Sequence, residues 1–122
     1  MIFPLRTSHW TRCLTSTTGP FEAEVSDDAV LVRMGWVGHV DIPIASVERI
    51  RTHRWPWWAG VGVRIAKGMV VFAPAPGQGV LIETSVPVTA HTPLAWKTRR
   101  VLVVAEDPAA LAEAVADRRA QN

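Results

Sequence analysis

"RRVLVVAEDPAALAEAV", Arg99 to Val115, joins a strand signal to a helix signal across two residues. The aliphatic run Val101 to Val104 predicts a strand, and Asp107-Pro108 marks the start of a helix. Asp107 is a good N-cap because its carboxylate accepts hydrogen bonds from N–H groups that the first turn leaves unpartnered. Pro108 takes the first helical position, where its missing N–H costs nothing. Beyond it, "AALAEAVADRRA" is rich in helix formers, and Leu111, Ala114, Val115 and Arg118 follow i, i+3, i+4, i+7 spacing. Arg118 and Arg119 in the last turn complement the helix dipole. The expectation is one amphipathic helix over about residues 108–120, laid on a sheet.

Upstream the periodicity is that of strands. "FEAEV" puts Phe21, Ala23 and Val25 on one face and Glu22 and Glu24 on the other. Ser26-Asp27-Asp28 reads as a turn, "AVLVRM" as a second strand, and Gly35 and Gly38 allow a hairpin into "HVDIP". "IPIASVERI" is less regular: Val47 to Ile50 is a helical step, and a brief turn before a strand ending near Thr52 reconciles the two patterns. "VGVRI", "MVVFA" and "VLIETSV" are further strands, with turns at Lys67-Gly68 and in "PAPGQG". "PVTAHTPLAWKT" carries two prolines and mixed polarity and reads as a long loop before the closing strand. Residues 1–20 read as an N-terminal arm or an extra strand, and 21–122 as a single domain.

Composition bounds the class. At 122 residues the chain is one domain that needs neither disulfide nor metal to build a core. Apolar residues make up 48% and charged residues 20%, which excludes wholesale disorder. Arg33, Arg49, Arg51, Arg64 and Lys67 interrupt each apolar run before it reaches the length of a bilayer crossing. With no secretory leader legible in "MIFPLRTSHWTR" and Cys13 the one cysteine, the expected location is the cytoplasm, or peripherally the inner face of the membrane. Thirteen cations against eleven anions is too weak an imbalance to imply nucleic acid.

Four stretches, "VDIPIASVERI", "WWAGVGVRI", "GVLIETSV" and "RRVLVVAEDPAALAEAV", share a local texture. They show an Ile-Pro turn before an irregular strand, a Gly-x-Gly-x-Arg stretch, a Gly-Val-x-Ile-Glu strand, and a closing strand that meets Asp-Pro. In this the chain resembles the small bacterial pleckstrin-homology-like (PH-like) domain proteins, from about Phe21 to Arg119. The resemblance implies a mainly β fold, a PH-like barrel of about seven antiparallel strands capped by one C-terminal helix. It also implies a non-catalytic binding or scaffolding module. Some relatives carry membrane-spanning helices, and this chain departs from them.

The candidate chemistry narrows to one cluster. Gly60-x-Gly62 and Gly77-x-Gly79 are not phosphate loops, since Ile65 and Ile82 stand where a third glycine would be. His9 and Cys13 have a plausible helical spacing, but the flanks of His9, His39, His53 and His91 read as strand or loop and form no metal motif, and Ser46 does not lie in a nucleophile elbow. No catalytic residue, metal or cofactor is assigned. What remains is basic and aromatic: Arg49, Arg51, His53, Arg54, Trp55, Trp57 and Trp58. Strand alternation places Arg49, Arg51 and His53 on one face, and Pro56 spreads the indoles. Trp and Arg are enriched at protein hot spots, which makes Arg51, His53, Arg54, Trp55, Trp57 and Trp58 the candidate contact residues for a protein partner or a second copy. An anionic membrane surface is the alternative use of residues 49–58; stacking on nucleic acid ranks below both. At least one indole is expected inside, plugging the barrel end against Leu111 and Val115, with another left at the surface.

Overall fold

The computed structural model describes residues 1–5, 21–35, 38–56, 62–66, 68–91 and 95–121. Short β1 (Ile2–Pro4) leads the chain. β2 (Phe21–Val25), β3 (Ala29–Met34) and β4 (Gly38–Pro43) form the expected meander, with inward and outward residues alternating along each strand. Ser26 organises the first turn: its hydroxyl donates to the Ala29 carbonyl and accepts from the Ala29 N–H. Gly35 opens the second turn with φ of 55°, a conformation that favours glycine. A 3-10 turn over Ile44–Ser46 follows, and it resolves the irregular pattern foreseen for this stretch.

The second half is built on longer strands: β5 (Val47–Trp55), β6 (Gly62–Ala66), β7 (Met69–Ala73), β8 (Gly77–His91) and β9 (Ala95–Val103). Helix α1 (Pro108–Gln121) ends the described chain. Asp107 caps it as expected, accepting a hydrogen bond from the Ala110 N–H at 3.1 Å. Nine strands join one sheet in the order β1-β2-β3-β4-β8-β9-β7-β6, with β5 added on β8.

Three expectations are corrected. The strands number nine among the described residues, not about seven, with β1 paired on β2, and the described part of the loop expected over 87–98 is strand, which lengthens β8 and β9. Residues Val86–His91 belong to β8 and Ala95–Thr98 to β9. Pro87 fits because it falls inside the register shift between Glu83 and Val88, where the ladder does not require its N–H. Next, β7 runs parallel to β9, pairing Val70 with Val101 and Phe72 with Val103. Last, among the described residues the sheet is open instead of a closed barrel: its path ends at β1 and β6, which do not pair. One strand serves both parts of this bent sheet. The first part of β8 (77–84) pairs with β5, and its end (90–91) pairs with β4.

The main core lies inside the bend, where Phe21, Val25, Val32 and Ile42 of the meander meet Phe72, Ile82, Val101 and Val103. Leu111, Ala114 and Val115 add the buried stripe of α1 to it. Arg118 completes the helix by reaching Asp27 at 2.7 Å. A second apolar cluster, Trp55, Met69, Val71, Ala73, Leu81, Leu102 and Val104, lies on the reverse face of the same strands. β7 is therefore buried along its whole length, which is why it reads as an unbroken apolar run without alternation.

Two substitutions test this packing by urea denaturation. Leu111→Ala should cost about 2–5 kcal/mol, since the vacated space lies in the main core. At Gly79 an added Cβ would meet Leu102 Cδ1 at 2.8 Å, the Val103 carbonyl oxygen at 3.1 Å and the His53 carbonyl oxygen at 3.3 Å. Backbone on both neighbouring strands cannot yield as a side chain does, so Gly79→Ala should cost about 1–3 kcal/mol.

Candidate functional site

The register of β5 against β8 decides which of the basic and aromatic residues stand together. Arg49 faces Glu83, Arg51 faces Leu81, His53 faces Gly79 and Trp55 faces Gly77. Partners opposite one another in a ladder share a face. Arg49, Arg51, His53 and Trp55 thus lie on the outer face of the sheet, with Leu81 and Glu83. Arg54 faces Gln78 and belongs to the opposite side of the strand. The bulge between Val47 and Arg49 sets this phase, since one residue more or fewer would turn the arginines over. Trp57 and Trp58, like Gly60, His9 and Cys13, lie outside the described residues.

Glu83 is the hub. Its carboxylate accepts a hydrogen bond from Arg51 Nη2 at 2.6 Å, and Arg49 Nε and Arg100 Nε stand 3.7 and 3.8 Å away. Arg100 arrives from β9 because it pairs with Glu83 on that side. The carboxylate is mostly covered, with 16% of the side chain exposed, whereas the arginines are half-exposed or more. Three guanidinium groups around one carboxylate leave a local excess of positive charge. Among the described residues Arg51 is the one whose guanidinium is hydrogen-bonded to the Glu83 carboxylate, so those of Arg49 and Arg100 keep donors that Glu83 does not use.

Beside this charge the face becomes apolar. A shallow groove of about 290 Å³ is lined by Arg51, Thr52, His53, Met69, Leu81 and Arg100. Its cationic wall is Arg51 and Arg100, and its apolar part is Met69 and Leu81, both in the second cluster. Thr98 steadies the β9 side: its hydroxyl sits 3.2 Å from the Gly68 carbonyl and 2.9 Å from the Arg100 carbonyl, and accepts from the Arg100 N–H.

Trp55 is buried, 5% exposed, and it is not the indole that meets Leu111 and Val115. It packs with Met69, Leu81 and Leu102 on the reverse face, whereas Leu111 and Val115 belong to the main core. The thickness of the sheet separates them, because Trp55 shares the phase of Arg51 and His53 and the helix packs on the other side. Its partner across the ladder is Gly77, which has no side chain to compete for the space.

Elsewhere, His39 and His91 are cross-strand partners with stacked rings, 4.8 Å between centroids. Glu22 and Glu24 flank Arg33 at 3.6 and 4.0 Å. Among the described residues no three His, Cys, Asp or Glu side chains are placed to hold a metal, and no helix is long and apolar enough to cross a membrane. Sequence reasoning missed Glu83, Arg100, Met69 and Leu81. A charged residue inside the apolar run "GVLIETSV" was the available signal for Glu83. Comparison with protein-family models, curated proteins and solved structures gives no match.

Glu83→Gln should lower stability by about 1–2 kcal/mol through loss of a charged hydrogen bond. It also leaves three like charges together, so the deficit should shrink between 50 mM and 1 M NaCl in urea titrations. Trp55→Ala should cost about 3–5 kcal/mol on the same scale, with little dependence on salt.

Proposed function

We propose that this protein is a non-enzymatic, PH-like binding module that acts by protein–protein contact, through the outer face of β5, β8 and β9. The observation that carries the reading is the excess of arginine around Glu83 beside an apolar floor. Arginine recognises carboxylates through a planar fork of donors, and apolar contact beside it excludes water and strengthens each charged hydrogen bond. Support for a PH-like relationship comes from the motif texture and from the element order, a meander and further strands followed by one terminal helix that packs on the core. Cytoplasmic location goes with this reading, since an intracellular scaffold needs no disulfide.

The membrane alternative draws on the same arginines, but the large side chains beside them do not favour it. Trp55, Met69 and Leu81 are 5%, 7% and 5% exposed, so among the described residues this part of the face offers no protruding apolar group to enter a bilayer.

The double substitution Arg51→Glu with Arg100→Glu tests the reading. In crosslinking pull-downs from the source cells, the partner retained by the wild-type protein should be lost at about 150 mM salt, while Arg33→Glu on the other half of the sheet retains it. Sedimentation equilibrium then tells a second copy from a foreign chain. A partner held equally by the double variant would overturn the assignment of this face.

A further inference from the structure

We infer that the groove beside Glu83 takes an acidic peptide segment in which a carboxylate stands next to a large apolar side chain. This rests on the binding-module reading above and specifies its ligand chemistry. Charge complementarity selects the acidic partner. Arg49, Arg51 and Arg100 converge on Glu83, which is the one carboxylate in ion-pair range of any of them among the described residues. Glu83 engages the guanidinium groups from below, in the sheet, and aligns them without neutralising them. The guanidinium groups of Arg49 and Arg100 lie in ion-pair range of Glu83 but make no hydrogen bond to it, so a second carboxylate approaching from solvent finds donors already gathered at one place and not yet committed.

The apolar requirement comes from the other half of the groove. Met69 and Leu81 line it together with Arg51 and Arg100, so an anion held by the arginines has hydrocarbon beside it. A volume of about 290 Å³ is near the lower end of ligand-site sizes, fitting one or two side chains instead of a folded surface. A ligand carrying only charge would leave this part wet; one carrying only hydrocarbon would leave the guanidinium groups unanswered. His53 completes the rim on the same face as Arg51, and its ring nitrogens can hydrogen-bond to peptide; Thr52 also borders the groove, but it pairs with Val80 of the main core and its side chain belongs to the other face. A lipid headgroup satisfies the charge, but its chains lie in the bilayer and cannot turn onto Met69 and Leu81 while the sheet stands above the surface.

Fluorescence anisotropy of labelled nonapeptides, at 50 mM NaCl and with the intact protein, tests the inference. One peptide alternates glutamate with phenylalanine or leucine; a second alternates glutamate with serine; a third alternates glutamine with the same apolar residues. The first should bind at least about tenfold more tightly than either control, a difference of roughly 1.4 kcal/mol. Arg51→Gln with Arg100→Gln should weaken it by about tenfold or more, whereas Arg33→Gln should leave it unchanged. Amide shifts in NMR spectra should concentrate at Arg51, His53, Leu81 and Arg100. Equal binding of the glutamate–serine peptide overturns the apolar requirement and leaves the binding-module reading standing. Failure of every peptide overturns the inference; if vesicles of phosphatidylglycerol and phosphatidylcholine then bind in a salt-sensitive manner, the protein–protein reading falls as well. Circular dichroism of each variant separates lost contact from lost fold.

Discussion

Backbone pairing along β8 is the constraint on which the rest of the structure depends. Its first part must hydrogen-bond to β5 and β9, and its end to β4 and β9. No straight strand can meet both demands, because the two sets of partners lie in different directions. The break comes between Glu83 and Val88, where the ladder shifts register and Thr84 donates its hydroxyl to the Val86 carbonyl at 2.6 Å. That shift lets the sheet fold over its own core. It also ends the regular ladder at Glu83, which places the charged hub at the edge of the bend instead of in the dry interior.

Two-sided burial follows from the same geometry. With the meander on one side and a second apolar cluster on the other, β7 and the adjoining parts of β8 and β9 lose both of their wet faces. Fully burying one aliphatic side chain contributes about 1.5–3 kcal/mol, so strands that bury successive residues on alternating sides gain from every position. Such strands are stiff platforms. Arg100 and Leu81 stand on them, and the groove inherits their order, while Arg51 and His53 come from β5, which among the described residues is paired on β8 alone.

How much of this was legible in the sequence depends on which physical signal each part obeys. The meander and the helix were readable because Phe21–Val25 alternates cleanly and Asp107-Pro108 announces a helix through local chemistry. The same local logic misled at Pro87, where a residue that disfavours strands is accepted by a register shift that only tertiary pairing creates. Closure of the sheet was equally out of reach, since whether the last strand meets the first is not written in any short window. At the site, alternation placed Arg49, Arg51 and His53 together, as found in the register. It could not supply Glu83 and Arg100, which are distant along the chain and meet β5 only through pairing. Trp55 illustrates the remaining gap: its phase was readable, but the existence of an apolar cluster on the reverse face was not.

The two tethers between the chain's early and late segments have a consequence for how the molecule is made. Leu5 bridges to Ala105, and the Glu106 N–H donates to the Pro4 carbonyl at 2.9 Å. A ribosome that has delivered β1 to β4 must add tens of further residues before these partners exist, at a rate of about 5–20 residues per second. During those seconds the inner surface of the meander has neither its facing strands nor its helix. The nascent chain therefore spends its vulnerable interval with Val32, Val40 and Ile42 uncovered, while the outer face of β2 and β3 already turns the charges of Glu22, Glu24 and Arg33 away from that apolar surface.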